Sequence, residues 1–148
     1  MEMKKILWPT DFSKSAAAAL PYVNSLTKKF DAEIHVLYVI EDIARHAPWY
    51  GEFGKEHVDK LLEWEEETAH KHLDDICMRH LEGCRLYIKH VAVGDPAEQI
   101  LKFIEKEKVD LVIMAKHGRK AHFAFGSVAD KVVKHSPVPV VTIPVEKE

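Results

Sequence analysis

The feature that most constrains the fold is an alternation of short, β-branched apolar runs with longer amphipathic segments. The runs Lys4–Trp8, which ends at a proline, and Glu33–Ile40 are too short for typical helices and indicate buried strands. Further strands are predicted at Arg85–Val91, Val109–Met114 and Val138–Ile143. Because a helix is predicted between each successive pair, the order is β-α-β-α-β-α-β-α-β. This order favours one parallel sheet with helices on both faces, an α/β Rossmann-like architecture.

The first two predicted helices have recognisable boundaries. Ser13 is placed to cap a helix over 13–30, and Pro21 should kink that helix or end its first part. An apolar stripe at three- and four-residue steps predicts a second helix over Lys55–Leu81, with Gly83 as the residue that follows its C-terminus.

The last two predicted helices follow the third and fourth strands. Asp95-Pro96-Ala97-Glu98 combines an N-cap acid, a first-turn proline and a capping-box glutamate, and the helix continues to Lys106. The other helix is predicted over Ser127–His135, with Ser127 as its N-cap. Each helix therefore fits within one strand-to-strand connection.

Composition excludes several classes of protein. The chain has 148 residues, of which 47% are hydrophobic, so we expect a single domain over 1–148 with one packed core. A net charge of −3 lacks the global basic footprint of a nucleic-acid binder or an anionic-membrane binder. Two cysteines are too few for a disulfide framework.

The targeting features of the sequence are also weak. The apolar run near the N-terminus, Ile6–Trp8, is far shorter than the core of a signal peptide. No window approaches the roughly 20 apolar residues that span a bilayer. We therefore expect a cytoplasmic protein.

Ligands of open parallel sheets bind beyond the carboxyl ends of the strands, where the strand order reverses. The segments to consider are those that follow the strands: Pro9-Thr10-Asp11, Val39–Asp42, Val93-Gly94-Asp95 and the loop Ala115–Gly126. The loop after the fourth strand is the longest strand-to-helix connection. It is therefore the first place to look for a binding site.

The chemistry of that loop suits an anion. It carries the cations Lys116, Arg119 and Lys120, and Gly126-Ser127 opens a helix whose N-terminal dipole attracts phosphate. The alternative is an ordinary loop with solvated cations, since neither GxxxxGK[ST] nor GxGxxG occurs. From this pattern alone the ordinary loop is favoured.

Three segments together resemble a known family. They are the opening Lys4–Ser13 (KKILWPTDFS), the stretch Val109–Met114 followed by His117-Gly118-Arg119, and Gly126–Val132 followed by Pro137–Val141. The chain is similar over essentially its whole length to the universal stress proteins. That resemblance implies a five-stranded parallel sheet of order 3-2-1-4-5 and a dimeric adenine-nucleotide-binding module used in stress response.

The resemblance also implies a site for ATP, ADP or AMP, which could carry Mg²⁺. The adenine and ribose end matches Pro9, Thr10, Asp11, Val39 and Met114. The phosphate end matches the following residues: Ala115, Gly118, Arg119, Gly126, Ser127 and Val128. Asp11 has a second interpretation from the residues alone, because aspartate in such a loop commonly forms a local turn.

The sequence departs from the family's nucleotide motif in two places. Nucleotide-binding members carry Gly-x2-Gly-x9-Gly-Ser/Thr, but Ala115 replaces the first glycine and seven residues separate Gly118 from Gly126 instead of nine. A shorter loop favours AMP or ADP, or weakens binding. The alternative function is therefore a dimeric interaction protein without nucleotide. Weak ATP hydrolysis ranks third, since no catalytic base is identifiable.

The resemblance further implies a homodimer built by the edge of the fifth strand. The residues suited to that edge are Val138, Val140, Val141 and Ile143. A hydrophobic edge needs pairing or cover, and the alternative is cover by the tail Pro144–Glu148, with Pro137 and Pro139 blunting the edge.

Two weaker signals remain. Cys77, His80 and Cys84 hint at zinc, but their spacing matches no standard finger or ribbon, and a half-buried cysteine explains them better. We therefore predict no metal site. The aromatic segment Trp49–Gly54 suggests a lid or a partner-binding loop, although aromatic side chains folded over the second helix are the better interpretation.

Overall fold

The computed structural model describes residues 2–41, 54–80, 87–116 and 126–144, and for 54–58 and 80 the backbone alone. Five parallel strands form one sheet in the order β3-β2-β1-β4-β5. The predicted sheet and its strand order are confirmed. The strands are β1 (Lys5–Thr10), β2 (Glu33–Ile40), β3 (Tyr87–Val93), β4 (Leu111–Ala115) and β5 (Val140–Ile143).

Helices occupy every connection between the strands. They are α1 (Lys14–Ala17), α2 (Leu20–Phe30), α3 (Gly54–His80), α4 (Pro96–Glu107) and α5 (Ser127–His135). The pattern over 13–30 forms two helices, which agrees with the expectation that its first part ends near Pro21; Pro21 lies in the first turn of α2. Proline is tolerated there because first-turn N–H groups have no partner within the helix.

The helix caps confirm two predictions and correct a third. Ser13 caps α1 by accepting the Ala16 N–H at 3.1 Å, and Asp95 caps α4 by accepting the Glu98 N–H at 3.0 Å. Ser127 is not an N-cap: it is the first residue of α5, and Gly126 is the N-cap, whose carbonyl accepts the Asp130 N–H.

The core lies in two layers, one on each face of the sheet. Alternate residues of the strands, such as Ile6 and Trp8 of β1, pack under α1, α2 and α3, while Leu7 packs under α4 and α5. Trp8 also donates its indole N–H to the Ala16 carbonyl at 3.2 Å. Each fully buried side chain of this size stabilises the fold by about 1.5–3 kcal/mol.

Several strand boundaries differ from the predicted ones by one or two residues; β3, for example, ends at Val93 rather than Val91. β1 continues through Pro9 to Thr10, β4 begins at Leu111 rather than Val109, and β5 begins at Val140 rather than Val138. Val138 is held in a turn before β5, where its N–H donates to Ser136 Oγ at 3.1 Å. The predicted start of β3 at Arg85, like Gly83, lies outside the described residues.

Helix α3 confirms only part of the predicted apolar stripe. Ala69, Leu73 and Cys77 are buried against the sheet, but Leu61 of the same stripe is 45% exposed. Burial therefore follows the part of α3 that lies over β2 and β3. No described helix is both long and apolar enough to cross a membrane.

Candidate functional site

The two central strands separate at their carboxyl ends. Among the described residues the β1–β4 pairing ends at Leu7 with Val112, although β1 stays paired with β2 as far as Thr10 and β4 with β5 as far as Ala115. A crevice therefore opens between β1 and β4. The strand order reverses between these two strands, which is where open α/β sheets bind ligands.

Pro9 is the physical reason for this separation. The Lys5 carbonyl accepts the Asp110 N–H at 2.9 Å, so the backbone groups of Lys5, and by alternation those of Leu7 and Pro9, face β4. The next hydrogen bond from β1 to β4 would run from the nitrogen of residue 9 to the carbonyl of Ile113. Because residue 9 is proline, which has no N–H, this bond cannot form. The prediction that Pro9 ends the strand is wrong, because Pro9 ends the pairing with β4 and not the strand itself.

One wall of the crevice is the turn that follows β1. Thr10 Oγ1 accepts the Phe12 N–H at 3.1 Å, and Asp11 Oδ1 accepts the Ser13 N–H at 2.9 Å. Asp11 is half-buried, and its second carboxylate oxygen accepts no hydrogen bond from the described residues. One oxygen of Asp11 therefore fixes the turn while the other is available to a ligand.

Three aromatic rings support this turn, and sequence reasoning missed them. Phe12 has a φ of 63°, a left-handed conformation that is uncommon for a bulky residue. Its ring lies 4.3 Å from that of Tyr38 and 5.2 Å from that of His72. These contacts from β2 and α3 hold the strained residue in place. Such strain clusters at functional sites.

The opposite wall joins the end of β4 to the start of α5. The Lys116 N–H donates to the Ile143 carbonyl at 2.9 Å, and the Gly126 N–H donates to the Lys116 carbonyl at 2.9 Å. The first bond continues the pairing of β4 with β5, and the second joins the two residues that flank segment 117–125. Gly118 and Arg119 belong to that segment and lie outside the described residues.

The N-terminus of α5 has the chemistry of an anion site. Its N-cap, Gly126, makes no side-chain cap hydrogen bond, whereas Ser13 and Asp95 cap α1 and α4 with their own side chains. The first-turn N–H groups of Ser127 and Val128 have no intrahelical partner and carry the positive end of the helix dipole. The partly buried Lys116 lies next to them through its bond with Gly126.

The remaining predicted residues lie around this crevice at different depths. Met114 is buried between the sheet and the α4–α5 layer, and Val39 and Val128 pack partly buried on the same side. Ala115 ends β4 opposite Ile143 and has no positive φ, so its methyl group does not strain the backbone.

The described residues do not build a metal centre. Cys77 is buried on the core face of α3, and burial raises the pKa of its thiol to about 11, so it stays protonated and is a poor ligand. Within the described ranges no group of three His, Cys, Asp or Glu residues could hold a metal ion. Cys84 and the segment 49–53 lie outside those ranges.

Comparison with known proteins identifies what the chain is similar to. The model of the universal stress protein family matches residues 2–144. The universal stress protein MJ0531 of Methanocaldococcus jannaschii is 32% identical over 142 residues, covering 95% of this chain and 81% of that protein. Its relative MJ0577 is also 32% identical, and the solved structure of MJ0577 matches with a TM-score of 0.82 over 100% of both chains.

More distant structures share the fold alone. A universal stress protein in complex with cAMP has a TM-score of 0.66 at 16% identity, covering 97% of this chain and 98% of that one. One from Archaeoglobus fulgidus in complex with dAMP has a TM-score of 0.59 at 18% identity, covering 95% and 97%. The sheet order, the family model and the identity to the archaeal relatives agree: this chain belongs to the universal stress protein family.

Proposed function

We propose that the protein binds an adenine nucleotide in the β1–β4 crevice. The observation that carries the proposal is the separation of the central strands, with Asp11 on one wall and the uncapped N-terminus of α5 on the other. A carboxylate oxygen accepts hydrogen bonds from ribose hydroxyls, and helix N-terminal amides donate to phosphate. The two walls therefore match the two polar parts of a nucleotide.

Each predicted site residue has a role in this proposal. Pro9, Thr10 and Val39 face the adenosine, with Met114 beneath it and Ala115 beside it. Gly126, Ser127 and Val128 receive the phosphate, and Gly118 and Arg119 complete that end. Any Mg²⁺ would arrive bound to the phosphate oxygens, as it does in most nucleotide sites.

The loop length favours a short phosphate chain. Only seven residues separate Gly118 from Gly126, so the backbone available to surround phosphates is limited. Two relatives of the same fold are solved in complex with cAMP and with dAMP, each of which has a single phosphate. We expect AMP and ADP to bind at least as tightly as ATP.

The same proposal includes a homodimer formed through β5. Lys116 and Val112 donate to the carbonyls of Ile143 and Pro139, so the backbone groups of Val140 and Thr142 point away from β4 toward an edge that no described strand covers; most of the tail Pro144–Glu148 lies outside the described residues. An open edge pairs readily with another strand. Val140 and Val141 are half-buried and suit such an interface, whereas Val138 precedes the strand and contributes beside it.

Titration calorimetry tests the nucleotide proposal. AMP, ADP and ATP would be titrated into the purified protein, with GMP as the control for the base. We expect saturable binding of AMP and ADP with Kd below about 1 mM, which corresponds to about −4 kcal/mol, and weaker binding of GMP. No heat of binding from any adenine nucleotide at millimolar concentration would contradict the proposal and favour an interaction protein without nucleotide.

A further inference from the structure

A buried histidine pair joins β2 to the edge strand β3, in the amino-terminal half of β2 and away from the crevice. His35 is only 3% exposed, and its Nδ1 lies 3.0 Å from His90 Nε2. The other ring nitrogen of His35, Nε2, lies 3.2 Å from Glu33 Oε2. The two rings are nearly parallel, at 14°, and Phe103 of α4 packs against both.

The partners determine where the protons lie at neutral pH. The Glu33 carboxylate only accepts hydrogen bonds, so His35 Nε2 must donate to it. In a neutral ring His35 Nδ1 is then an acceptor, and His90 Nε2 must donate to it. A chain of two hydrogen bonds, His90 to His35 to Glu33, therefore satisfies the buried ring completely.

Protonation of both rings is incompatible with this geometry. Each imidazolium carries a proton on both nitrogens, so two N–H groups would face each other across a contact of 3.0 Å. Two like charges would also lie side by side, one of them on the buried His35 ring. The hydrogen bond between β2 and β3 must then break.

His90 is the member of the pair that solvent can reach, because it is only partly buried. Burial lowers the pKa of His90, as does nearby His35; from α4, Glu107 raises it and Lys106 lowers it. On β3, next to His90, Lys89 is paired with Asp74 of α3. Ile88, on the other side of Lys89, carries no charge. Among the described residues, Glu33 and Glu107 are thus the anions that favour protonation of the pair, against burial, Lys106 and the repulsion between the two rings.

We propose that the His35–His90 pair is an acid-sensitive latch that holds edge strand β3 against β2 and α4 and opens when both rings carry a proton. Among the described strands β3 pairs with β2 alone, so losing this contact loosens the edge. Since the folded state resists protonation of His90, the unfolded chain takes up the proton first, near pH 6.5. The stability from the neutral pair is present above that pH and is lost as the pH falls below it.

Urea unfolding between pH 7.5 and 5 tests the latch, with EDTA present to exclude metal ions. For one linked proton the unfolding constant rises by about tenfold per pH unit below pH 6.5. His90→Gln keeps a donor for His35 but does not titrate. Its unfolding constant should therefore rise more slowly on acidification than that of the wild type, by up to about tenfold per pH unit. His70→Gln, on an exposed position of α3, should follow the wild type. Parallel pH profiles for the wild type and His90→Gln would overturn the proposal.

Two measurements on the wild-type protein remain valid if the substitution prevents folding. In an NMR titration His90 should take its proton below the ordinary histidine pKa of about 6.5, and amide exchange in β3 should accelerate on acidification relative to β4. The proposal fails if His90 takes its proton at or above that ordinary value, or if β3 exchange keeps a constant ratio to β4.

Discussion

At the scale of single residues, Asp11 shows that a structural role and a binding role are compatible. Its Oδ1 accepts the Ser13 N–H, which is the local turn expected of aspartate in a strand-to-helix loop. The second carboxylate oxygen accepts no hydrogen bond from the described residues and borders the crevice. The turn and the proposed ligand contact therefore use different oxygen atoms of Asp11, so one role does not exclude the other.

Replacing Asp11 by asparagine separates the two roles. Asn retains an oxygen for the Ser13 N–H but loses the charge and the second acceptor oxygen. We expect the Kd for AMP to rise by tenfold or more, since a hydrogen bond to a charged group contributes about 1.5–3 kcal/mol. The free energy of unfolding should change by less than about 0.5 kcal/mol.

The control for this substitution is Asp75→Asn on α3, where the carboxylate forms an exposed pair with Arg79. That variant should bind AMP like the wild type, because exposed pairs contribute little. If calorimetry gives Asp11→Asn and Asp75→Asn the same affinity for AMP, Asp11 does not contact the nucleotide.

The roles of single residues were predictable from sequence where a side chain acts on its own neighbours in the chain, as in helix capping. Ser13 and Asp95 cap helices as their residue types suggest. Ser127 does not, because Gly126 precedes it and supplies the first carbonyl of α5. The left-handed Phe12 was not predictable, since its conformation depends on rings from β2 and α3 that are distant in sequence.

At the scale of elements, the important relation is between β1 and β4. A proline usually argues against a central strand. Pro9 is accommodated because its nitrogen faces β4 at the point where the two strands separate, while β1 still pairs with β2. The missing N–H therefore opens the crevice without removing a strand from the sheet.

Pro9→Ala should narrow the crevice by restoring the donor toward Ile113. We expect the Kd for AMP to rise about tenfold, which is about 1.4 kcal/mol. The free energy of unfolding should stay within about 1 kcal/mol, since a new hydrogen bond of about 0.5–1.5 kcal/mol offsets the greater entropy of the unfolded chain. Calorimetry and urea unfolding measure the two effects.

Pro137→Ala is the matched control, because Pro137 is exposed between α5 and β5. Pro137→Ala should raise the conformational entropy of the unfolded chain by a similar amount and leave the Kd for AMP unchanged. If Pro9→Ala binds AMP as tightly as this control, the opening of the β1–β4 pair is not what admits the nucleotide.

At the scale of the whole molecule, the sheet has two edges of different character. β3 is tied to β2 by the histidine pair, whereas β5 directs the backbone of Val140 and Thr142 outward. β3 and β5 lie at opposite ends of the strand order, so the proposed dimer edge and the histidine pair occupy different sides of the sheet.

Thr142→Pro tests the dimer, because it removes an N–H that faces the open edge but none that faces β4. We expect the wild type to have the mass of a dimer in light scattering after size-exclusion chromatography, and the proline variant to have the mass of a monomer. Thr142→Val keeps the N–H and should remain dimeric. A monomeric wild type would refute pairing through β5.

The order of the sheet was predictable because alternating strands and helices leave few arrangements, and the family resemblance selected one of them. Boundaries were less predictable, since strand ends depend on partners: Ala115 extends β4 by pairing with Ile143, and Val138 is held in a turn by Ser136. Leu61 is exposed because it lies on a part of α3 that does not cover the sheet. The periodicity of apolar residues predicts which face of a helix is apolar, but not how much of that face is covered.

The most direct measurement of the central claim is an NMR titration of the isotope-labelled protein with AMP. Binding in the β1–β4 crevice predicts that the largest amide shifts occur at Thr10–Ser13 and at Gly126–Val128, on opposite walls, while β3 and the His35–His90 pair remain unchanged. Shifts that saturate elsewhere, or no shifts at millimolar AMP, would contradict it.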